Sequence, residues 1–241
     1  MARSKDEKRD PAVSLALLWG EQAQPRRGPK PSLSVERIVD GALAVADTEG
    51  LDALSMQSVG ARLGVTTMAL YRYVPGKAEL LDLMVDASFG PAPAVDGVPG
   101  GWRPQLEAWA RACWEQYRRR PWMVVATGMR RQLMGPRQLA WLDSALAALA
   151  GTGLSFAQQH EVFLLLIGHI RSLAQQRADD DAEGREEWDR LTAQVLERHA
   201  ARFPALSAAI AGGAFAPHGG DPLDFGLERI LDGVEALIER S

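Results

Sequence analysis

The stretch at residues 55–81 reads SMQSVGARLGVTTMALYRYVPGKAELL and predicts two short helices joined by a tight turn. Ser55 is a residue type that often precedes a helix, because its hydroxyl accepts a hydrogen bond from a backbone N–H of the first turn. Apolar residues follow at spacings of three and four, namely Met56, Val59 and Leu63. Gly64 then supplies the left-handed conformation that ends many helices. Two helices around a turn of three or four residues predict a helix-turn-helix unit.

The second helix of this unit, capped by Thr66 or Thr67 and extending to about Tyr73, has the composition of a recognition helix. The first turn of such a helix enters the DNA major groove. Thr67 can hydrogen-bond a base or a phosphate, Met68 can contact a thymine methyl group, and Tyr71 can reach a phosphate or a base edge. The alternative is that the tyrosines only pack against neighbouring helices. The predicted DNA contacts are Thr66, Thr67, Met68, Tyr71, Arg72, Tyr73 and Lys77.

This part of the chain resembles the TetR family of bacterial one-component repressors. The residues that carry the resemblance are Val35–Ala46, Glu49-Gly50-Leu51, Leu54-Ser55, Val59-Gly60-Ala61, Leu63-Gly64-Val65, Leu70-Tyr71-Arg72-Tyr73-Val74, Lys77 and Leu80-Leu81. Val74 stands at a position that is most often Phe in the family. The resemblance implies that Gln57 also lies in the major groove, where a Gln side chain pairs well with adenine. The rest of the chain resembles the ligand-binding half of the tetracycline repressor more loosely, by its pattern of helices.

The composition of the 241 residues, 46% of them hydrophobic, suits one compact body with a smaller one beside it. Ala, Leu, Glu and Arg recur at helical spacing, so the sequence predicts an all-α fold. No run of about 18 apolar residues is present, and acidic residues in the first ten positions argue against a signal peptide. The single cysteine, Cys113, excludes an internal disulfide and a multi-thiolate metal site. We expect a cytoplasmic protein that does not enter a membrane.

Positive charge is concentrated near the start of the chain, although the formal net charge is −4. Arg26, Arg27 and Lys30 lie in the proline-punctuated segment 25–33, whereas acidic residues are concentrated later, at 178–189. Basic arms beside helix-turn-helix units can enter the minor groove, where Arg side chains sense narrow A·T tracts. These three residues are therefore a second candidate DNA contact. The alternative is a solubilising linker.

Proline and glycine punctuation divides the chain into three parts. They are an extension and basic linker at 1–33, a helix-turn-helix domain at 34–76, and a helical ligand-binding and dimerisation domain at 77–241. In the extension, the apolar piece at 13–19 predicts a helix that packs Leu15, Leu18 and Trp19 on the DNA-binding domain, or one that orders only on DNA. Further helices are predicted at 35–46, 77–89, 102–120, 122–134, 136–150, 155–177, 185–201 and 222–239.

Two helices of the third part, at 155–177 and 222–239, carry more apolar residues than one buried face requires. Two such helices in each subunit can form a four-helix interface about a two-fold axis. A homodimer would place its two recognition helices on a palindrome whose half-sites lie about one helical turn apart. The alternative is that both helices fill the core of a monomer.

Aromatic and sulfur-containing side chains in the third part suit a pocket for a small, largely apolar molecule. The candidate ligand contacts are Trp109, Cys113, Tyr117, Trp122, Met129, Phe163, Ile167 and His169. The alternative is an ordinary hydrophobic core. His160 and His169 are nine positions apart and so lie on different faces of their helix, which excludes a metal pair.

The chain contains none of the enzyme motifs GxSxG, GxGxxG after a strand, a Walker loop or HExxH. We therefore assign no catalytic residue, metal or cofactor. The sequence predicts a DNA-binding transcriptional regulator, a repressor whose partners are a palindromic double-stranded operator, a second copy of the chain and a small ligand. The resemblance implies that the ligand changes the distance between recognition helices through the helix at 77–89. The alternative is a helical protein-interaction domain without specific DNA binding.

Overall fold

Helices account for most of the protein in the computed structural model, which describes residues 10–21, 33–128, 133–178, 182–214 and 220–240, with the backbone alone over 182–189. No β-strand occurs among these residues, and the all-α prediction is confirmed. The helices are α1 (Pro11–Leu18), α2 (Val35–Glu49), α3 (Met56–Leu63), α4 (Thr67–Tyr71), α5 (Lys77–Phe89), α6 (Trp102–Arg119), α7 (Trp122–Gly128), α8 (Pro136–Ala148), α9 (Phe156–Ala178), α10 (Ala182–Arg198), α11 (Pro204–Ala211) and α12 (Pro222–Ile238).

The first layer of the fold is the small domain of α2, α3 and α4. Ser34 Oγ begins α2 by accepting a hydrogen bond from the Arg37 N–H at 3.2 Å. α2 then packs against both α3 and α5. Ile38, Val59 and Leu70, one from each helix, are fully buried where the three helices meet. This small core fixes the angle at which α4 leaves the domain.

The extension contributes α1, which packs against α5. A packed helix was one of the two alternatives that the sequence left open, but its buried side differs from the prediction. Leu17 and Leu18 are buried, whereas Leu15 and Trp19 are 39% and 46% exposed, so their predicted packing is wrong. The buried face is set by a spacing of three and four residues from Ser14, which the apolar content of the segment does not reveal.

The larger half is built around α6, which packs against α8, α9 and α12. Rings from four elements meet edge to edge in its core: the centroids of Phe89 and Trp141 are 5.7 Å apart, as are those of Trp109 and Phe163. The Trp109 indole N–H also donates to the Trp141 carbonyl at 2.9 Å. The C-terminal end of α5 packs against this core, and its N-terminal end packs against the helix-turn-helix domain. α5 therefore belongs to both halves.

Two predicted helix ends are wrong for local reasons. α4 ends at Tyr71 rather than near Tyr73, because the Tyr73 N–H bonds the Leu70 carbonyl three residues back instead of a carbonyl four residues back, as an α-helix requires. The predicted helix at 122–134 does not extend so far, since residues 133–135 are not helical. Gly135 is extended there and Pro136 begins α8, so the chain must leave a helical path before that point.

The region after α9 contains one more helix than predicted. The helix expected at 185–201 corresponds to α10, and α11 follows after a short 3₁₀ turn. Pro204 stands in the first turn of α11, a position that favours proline and that was available as a signal in the sequence. Within the described residues, no helix combines the length and the apolar character that crossing a membrane requires.

Candidate functional site

The helix-turn-helix unit is held by local hydrogen bonds and one close backbone approach. Ser55 Oγ accepts from the Ser58 N–H at 3.0 Å, and Ser58 Oγ accepts from the Ser55 N–H at 2.9 Å, which caps α3 reciprocally. Gly64 ends α3 with φ +70°. At Gly60 a Cβ atom would lie 2.9 Å from the Val65 carbonyl oxygen, so this position accepts only glycine without a shift of the turn. The turn geometry is therefore specified by the sequence.

The recognition helix α4 presents one buried and one exposed side. Leu70 is fully buried, whereas Met68 is 72% and Tyr71 45% exposed. Thr66 Oγ1 caps the helix by accepting from the Ala69 N–H at 3.3 Å, which leaves its hydroxyl proton as a donor for a phosphate. Thr67 is half-buried in the first turn. The exposed residues thus lie where an approaching DNA groove would meet the first turn.

The other predicted DNA contacts are distributed around this face. Gln57, Arg72 and Lys77 are exposed, and Tyr73 is half-buried against the core. Arg72 and Lys77 form no ion pair with a residue that the structure describes, so their charges remain available for phosphates. Arg62, on the last turn of α3, is likewise exposed and was not singled out from the sequence. Arg26, Arg27 and Lys30 lie outside the described residues.

A polar contact joins the DNA-binding domain to the larger half. Asp47, on α2, accepts from the Trp122 indole N–H at 2.7 Å and from Arg120 Nε at 3.2 Å to each carboxylate oxygen. Arg120 and Trp122 form the corner between α6 and α7. Asp47 and Arg120 were not predicted, because residues more than seventy positions apart give no pairing signal in one sequence. Trp122 was predicted to line the ligand pocket, whereas its indole N–H faces Asp47.

The joining helix α5 is fastened to α8 by a second polar contact. Asp86 is buried, and its carboxylate accepts from the backbone N–H of Gln138 at 2.9 Å at the start of α8. Burial raises the pKa of Asp86 above its ordinary value, while the N–H groups of Gln138 and Arg137 and the charge of Arg137 oppose that rise. A Cβ on Gly135 would overlap the carboxylate. This contact therefore holds the start of α8 close against α5.

The ligand candidates fall into two groups. Trp109, Cys113 and Tyr117 are buried on one stripe of α6, and Phe163 and Ile167 pack beside them from α9. Burial raises the pKa of the Cys113 thiol to about 12, so this side chain is a packed thiol rather than a nucleophile. The fold brings these residues together, but mostly as part of a tightly packed hydrophobic core.

The other candidates lie apart from this stripe. His169 packs against α12, where a Cβ on Gly226 would overlap its ring, and its buried Nε2 has no hydrogen-bond partner among the described residues. Met129 lies outside the described residues. No cluster of three or more His, Cys, Asp or Glu side chains suited to a metal occurs in the described parts of the chain.

Comparison with known families decides what this architecture is. The family described as bacterial regulatory proteins, tetR family, matches residues 38–84, and the tetracyclin repressor-like C-terminal domain matches residues 96–238. The chain belongs to the TetR family. The resemblance seen in the sequence is confirmed, and so is its interpretation as a DNA-binding transcriptional regulator.

Two relatives of this TetR-family regulator are themselves named as HTH-type transcriptional regulators. The HTH-type transcriptional repressor DrrR1 of Streptomyces coeruleorubidus is 40% identical over 239 residues, which are 95% of this chain and 87% of that protein. An HTH-type transcriptional regulator of Saccharopolyspora erythraea is 30% identical over 214 residues, covering 86% of each chain.

Solved TetR-family structures share the fold. Apo ActR from Streptomyces coelicolor matches with a TM-score of 0.73 and 25% identity, over 88% of this chain and 99% of ActR. ActR in complex with actinorhodin matches with a TM-score of 0.72 and 27% identity, over 86% of this chain and 97% of ActR.

Proposed function

We propose that this TetR-family regulator is a repressor that binds a palindromic operator as a homodimer and leaves it when a small molecule occupies the larger half. DNA binding is supported by the exposed start of α4, where Met68 and Tyr71 project beside a fully buried Leu70. Solvent-exposed side chains of this kind on a rigid helix start suit direct base contact. The action is regulatory rather than catalytic, and its place is the cytoplasm, where bacterial DNA lies.

The homodimer is supported by apolar side chains that the single chain leaves uncovered. Leu164 and Leu165 on α9 are 50% and 57% exposed, and Phe225 on α12 is 73% exposed. α9 and α12 pack against each other, so their outer faces form one continuous surface. Burying such a surface against a second copy would bring about the four-helix interface expected from the sequence.

Release by a small molecule is supported by the contacts between the two halves and by relatives. ActR, 27% identical to this chain, has been solved in complex with (S)-DNPA and with actinorhodin. Among the described residues, α5 and the corner at Arg120–Trp122 both join the larger half to the DNA-binding domain. A ligand that binds one arrangement of these helices better than the other would shift the dimer between operator-binding and released shapes.

The experiment that tests the proposal is the selection of bound fragments from the source genome by the purified full chain, followed by sequencing. A shared palindrome with half-sites about one helical turn apart is the expected result. Absence of enrichment at low salt would contradict sequence-specific binding and favour the protein-interaction alternative.

The dimer has its own test in light scattering at micromolar concentration. Leu165→Glu should convert the dimer into a monomer, because it places a charge in the proposed interface. Leu139→Glu is the matched control, since Leu139 is 37% exposed but belongs to α8 rather than to α9 or α12. A monomeric wild-type chain, or a Leu165→Glu variant that remains dimeric, would contradict the assignment.

A further inference from the structure

Arg171 is a cation within the larger half that forms no ion pair with any residue that the structure describes. It lies half-buried on α9, and its Nε is buried without a hydrogen-bond partner there. A Cβ on Gly128 of α7 would lie 3.5 Å from Arg171 Nη2. Its charge also acts on the Tyr117 phenol of α6. The guanidinium therefore lies between three helices, where an unpaired charge is costly.

The Tyr117 phenol beside Arg171 and its neighbour, the Cys113 thiol, are neutral at physiological pH. Burial raises the pKa of the Tyr117 phenol to about 12, with a smaller contribution from the Cys113 thiol. Thr127 lies near the phenol and donates its hydroxyl proton to the Met123 carbonyl at 2.7 Å. Neither the phenol nor the thiol carries a negative charge that could pair with the Arg171 guanidinium.

A groove lies between α6 and α9, beside Tyr117. It encloses about 40 Å³, and its walls are Trp114, Tyr117, Pro121, Ala174, Arg177 and Ala178. Arg171 is not one of these walls, but it stands one turn before Ala174 on the same face of α9, and its charge acts on Tyr117, which does line the groove.

The groove combines aromatic and cationic character. Arg118 also lines it but pairs with Glu115 at 3.2 Å, whereas Arg177 pairs with no described carboxylate. One wall is thus aromatic and the opposite wall is small. Arg177 lines the groove and Arg171 stands beside it, and neither pairs with a carboxylate of a residue that the structure describes.

We infer that the ring of an anionic aromatic ligand enters this groove and that its carboxylate, sulfonate or phenolate pairs with Arg171 beside it. The planar guanidinium suits an oxyanion through two parallel N–H bonds. The ring of the ligand lies between the aromatic wall of α6 and the alanines of α9. The inference rests on the proposed function of the larger half as a ligand-binding domain. It changes the expected ligand from a largely apolar molecule to an aromatic anion.

The size of the groove links occupancy to movement. A volume of about 40 Å³ holds a few water molecules, whereas pockets for drug-sized ligands enclose about 300 Å³ or more. An aromatic ligand therefore enters only if α6 and α9 separate. Pro121, at the groove, is flanked by Arg120 and Trp122, the two residues that hold Asp47. Separation of α6 and α9 at this corner would therefore displace Asp47 of α2 or break its hydrogen bonds.

The test uses two fluorescent dyes that differ in charge, titrated into the full chain without DNA. They are 8-anilinonaphthalene-1-sulfonate, an aromatic anion, and N-phenyl-1-naphthylamine, its neutral counterpart. Arg171→Gln should weaken binding of the anionic dye by about tenfold or more, and that of the neutral dye by less than about twofold. Arg171→Lys keeps the charge and should retain most of the affinity. Ala178→Trp fills the groove and should block both dyes.

Two further measurements keep the test decisive. The matched control is Arg198→Gln, which replaces an exposed arginine on α10 and should leave both affinities unchanged. If Arg171→Gln fails to fold by circular dichroism, competition on the wild-type chain decides. Naphthalene-2-carboxylate should then displace the anionic dye at least about tenfold better than naphthalene-2-carboxamide.

Three results would overturn the inference: unchanged affinity of the anionic dye in folded Arg171→Gln, binding of that dye to Ala178→Trp, or equal competition by the carboxylate and the carboxamide. Genomic-fragment selection without dye is measured separately on the same proteins. Loss of DNA binding with intact, Arg171-dependent dye binding would therefore count against the proposed function and not against the groove.

Discussion

The indole N–H of Trp122 donates to Asp47 Oδ1 at 2.7 Å, across the boundary between the larger half and the DNA-binding domain. Arg120 Nε adds a charged hydrogen bond to the same carboxylate. Asp47 thus receives donors from both sides of the α6–α7 corner. A displacement of that corner must either move α2 with it or break these bonds.

The contact between Asp47 and Trp122 should appear as a coupling energy in a double-mutant cycle. We expect Asp47→Asn and Trp122→Phe to be non-additive by about 0.5–1.5 kcal/mol in the free energy of unfolding, measured with urea. The partly exposed setting of the carboxylate keeps this value modest. Asp47→Asn combined with Trp102→Phe is the control pair and should be additive. Additivity of both pairs would show that the contact carries no energy.

Lys77 should contact a DNA phosphate rather than a base, since it stands exposed at the first position of α5. Lys77→Ala should weaken binding to specific and unrelated DNA by similar factors. It should also lower the slope of log affinity against log salt by about one, because one fewer counterion is released. The control is Arg198→Ala on α10. A loss confined to the selected operator would instead make Lys77 a base contact.

Gly60 should be the glycine on which the helix-turn-helix unit depends most strongly. Gly60→Ala forces a methyl group to 2.9 Å from the Val65 carbonyl oxygen, and we expect a loss of about 1–3 kcal/mol in unfolding free energy. Gly233→Ala on α12 meets nothing within 4 Å and should gain up to about 1 kcal/mol from helix propensity. Equal effects of the two substitutions in chemical denaturation would contradict the close approach at Gly60.

Asp86 should give the protein a distinct pH dependence. Burial raises the pKa of its carboxyl in the folded state above the ordinary value of 3.8, so the native chain takes up this proton at a higher pH than the unfolded chain. Lowering the pH from neutrality toward 4 therefore stabilises the wild type relative to Asp86→Asn, which cannot titrate. Urea unfolding of both proteins across that range measures the difference. A difference in unfolding free energy that stays constant with pH, or that changes in the opposite direction, would refute the raised pKa.

The helix-turn-helix unit was predictable because its signals are local. Ser55 and Gly64 mark the ends of α3 within ten residues of each other, and the structure uses both as caps. The fold class followed from helical spacing for the same reason. Leu15 and Trp19 were misplaced because a short apolar helix does not disclose which side faces α5.

The contacts between the halves were beyond prediction from one sequence. Asp47 and Trp122 meet only after α2, α6 and α7 have packed, and Asp86 looked like any charge on a helix surface. Arg171 did carry a signal: it is a charged residue within the apolar helix α9, one position after the fully buried Ile170. The other ligand contacts were predicted from aromatic stripes. A tightly packed core and a ligand site both show this pattern.

The most direct test of DNA recognition by α4 is the affinity of Tyr71→Ala for the palindrome obtained by genomic selection. Tyr71 is 45% exposed, so its truncation should leave the melting temperature within about 2 °C of wild type. We predict that the affinity falls about tenfold or more, as one lost base or phosphate contact implies. An unchanged affinity in a folded Tyr71→Ala dimer would contradict the assignment of this face to DNA.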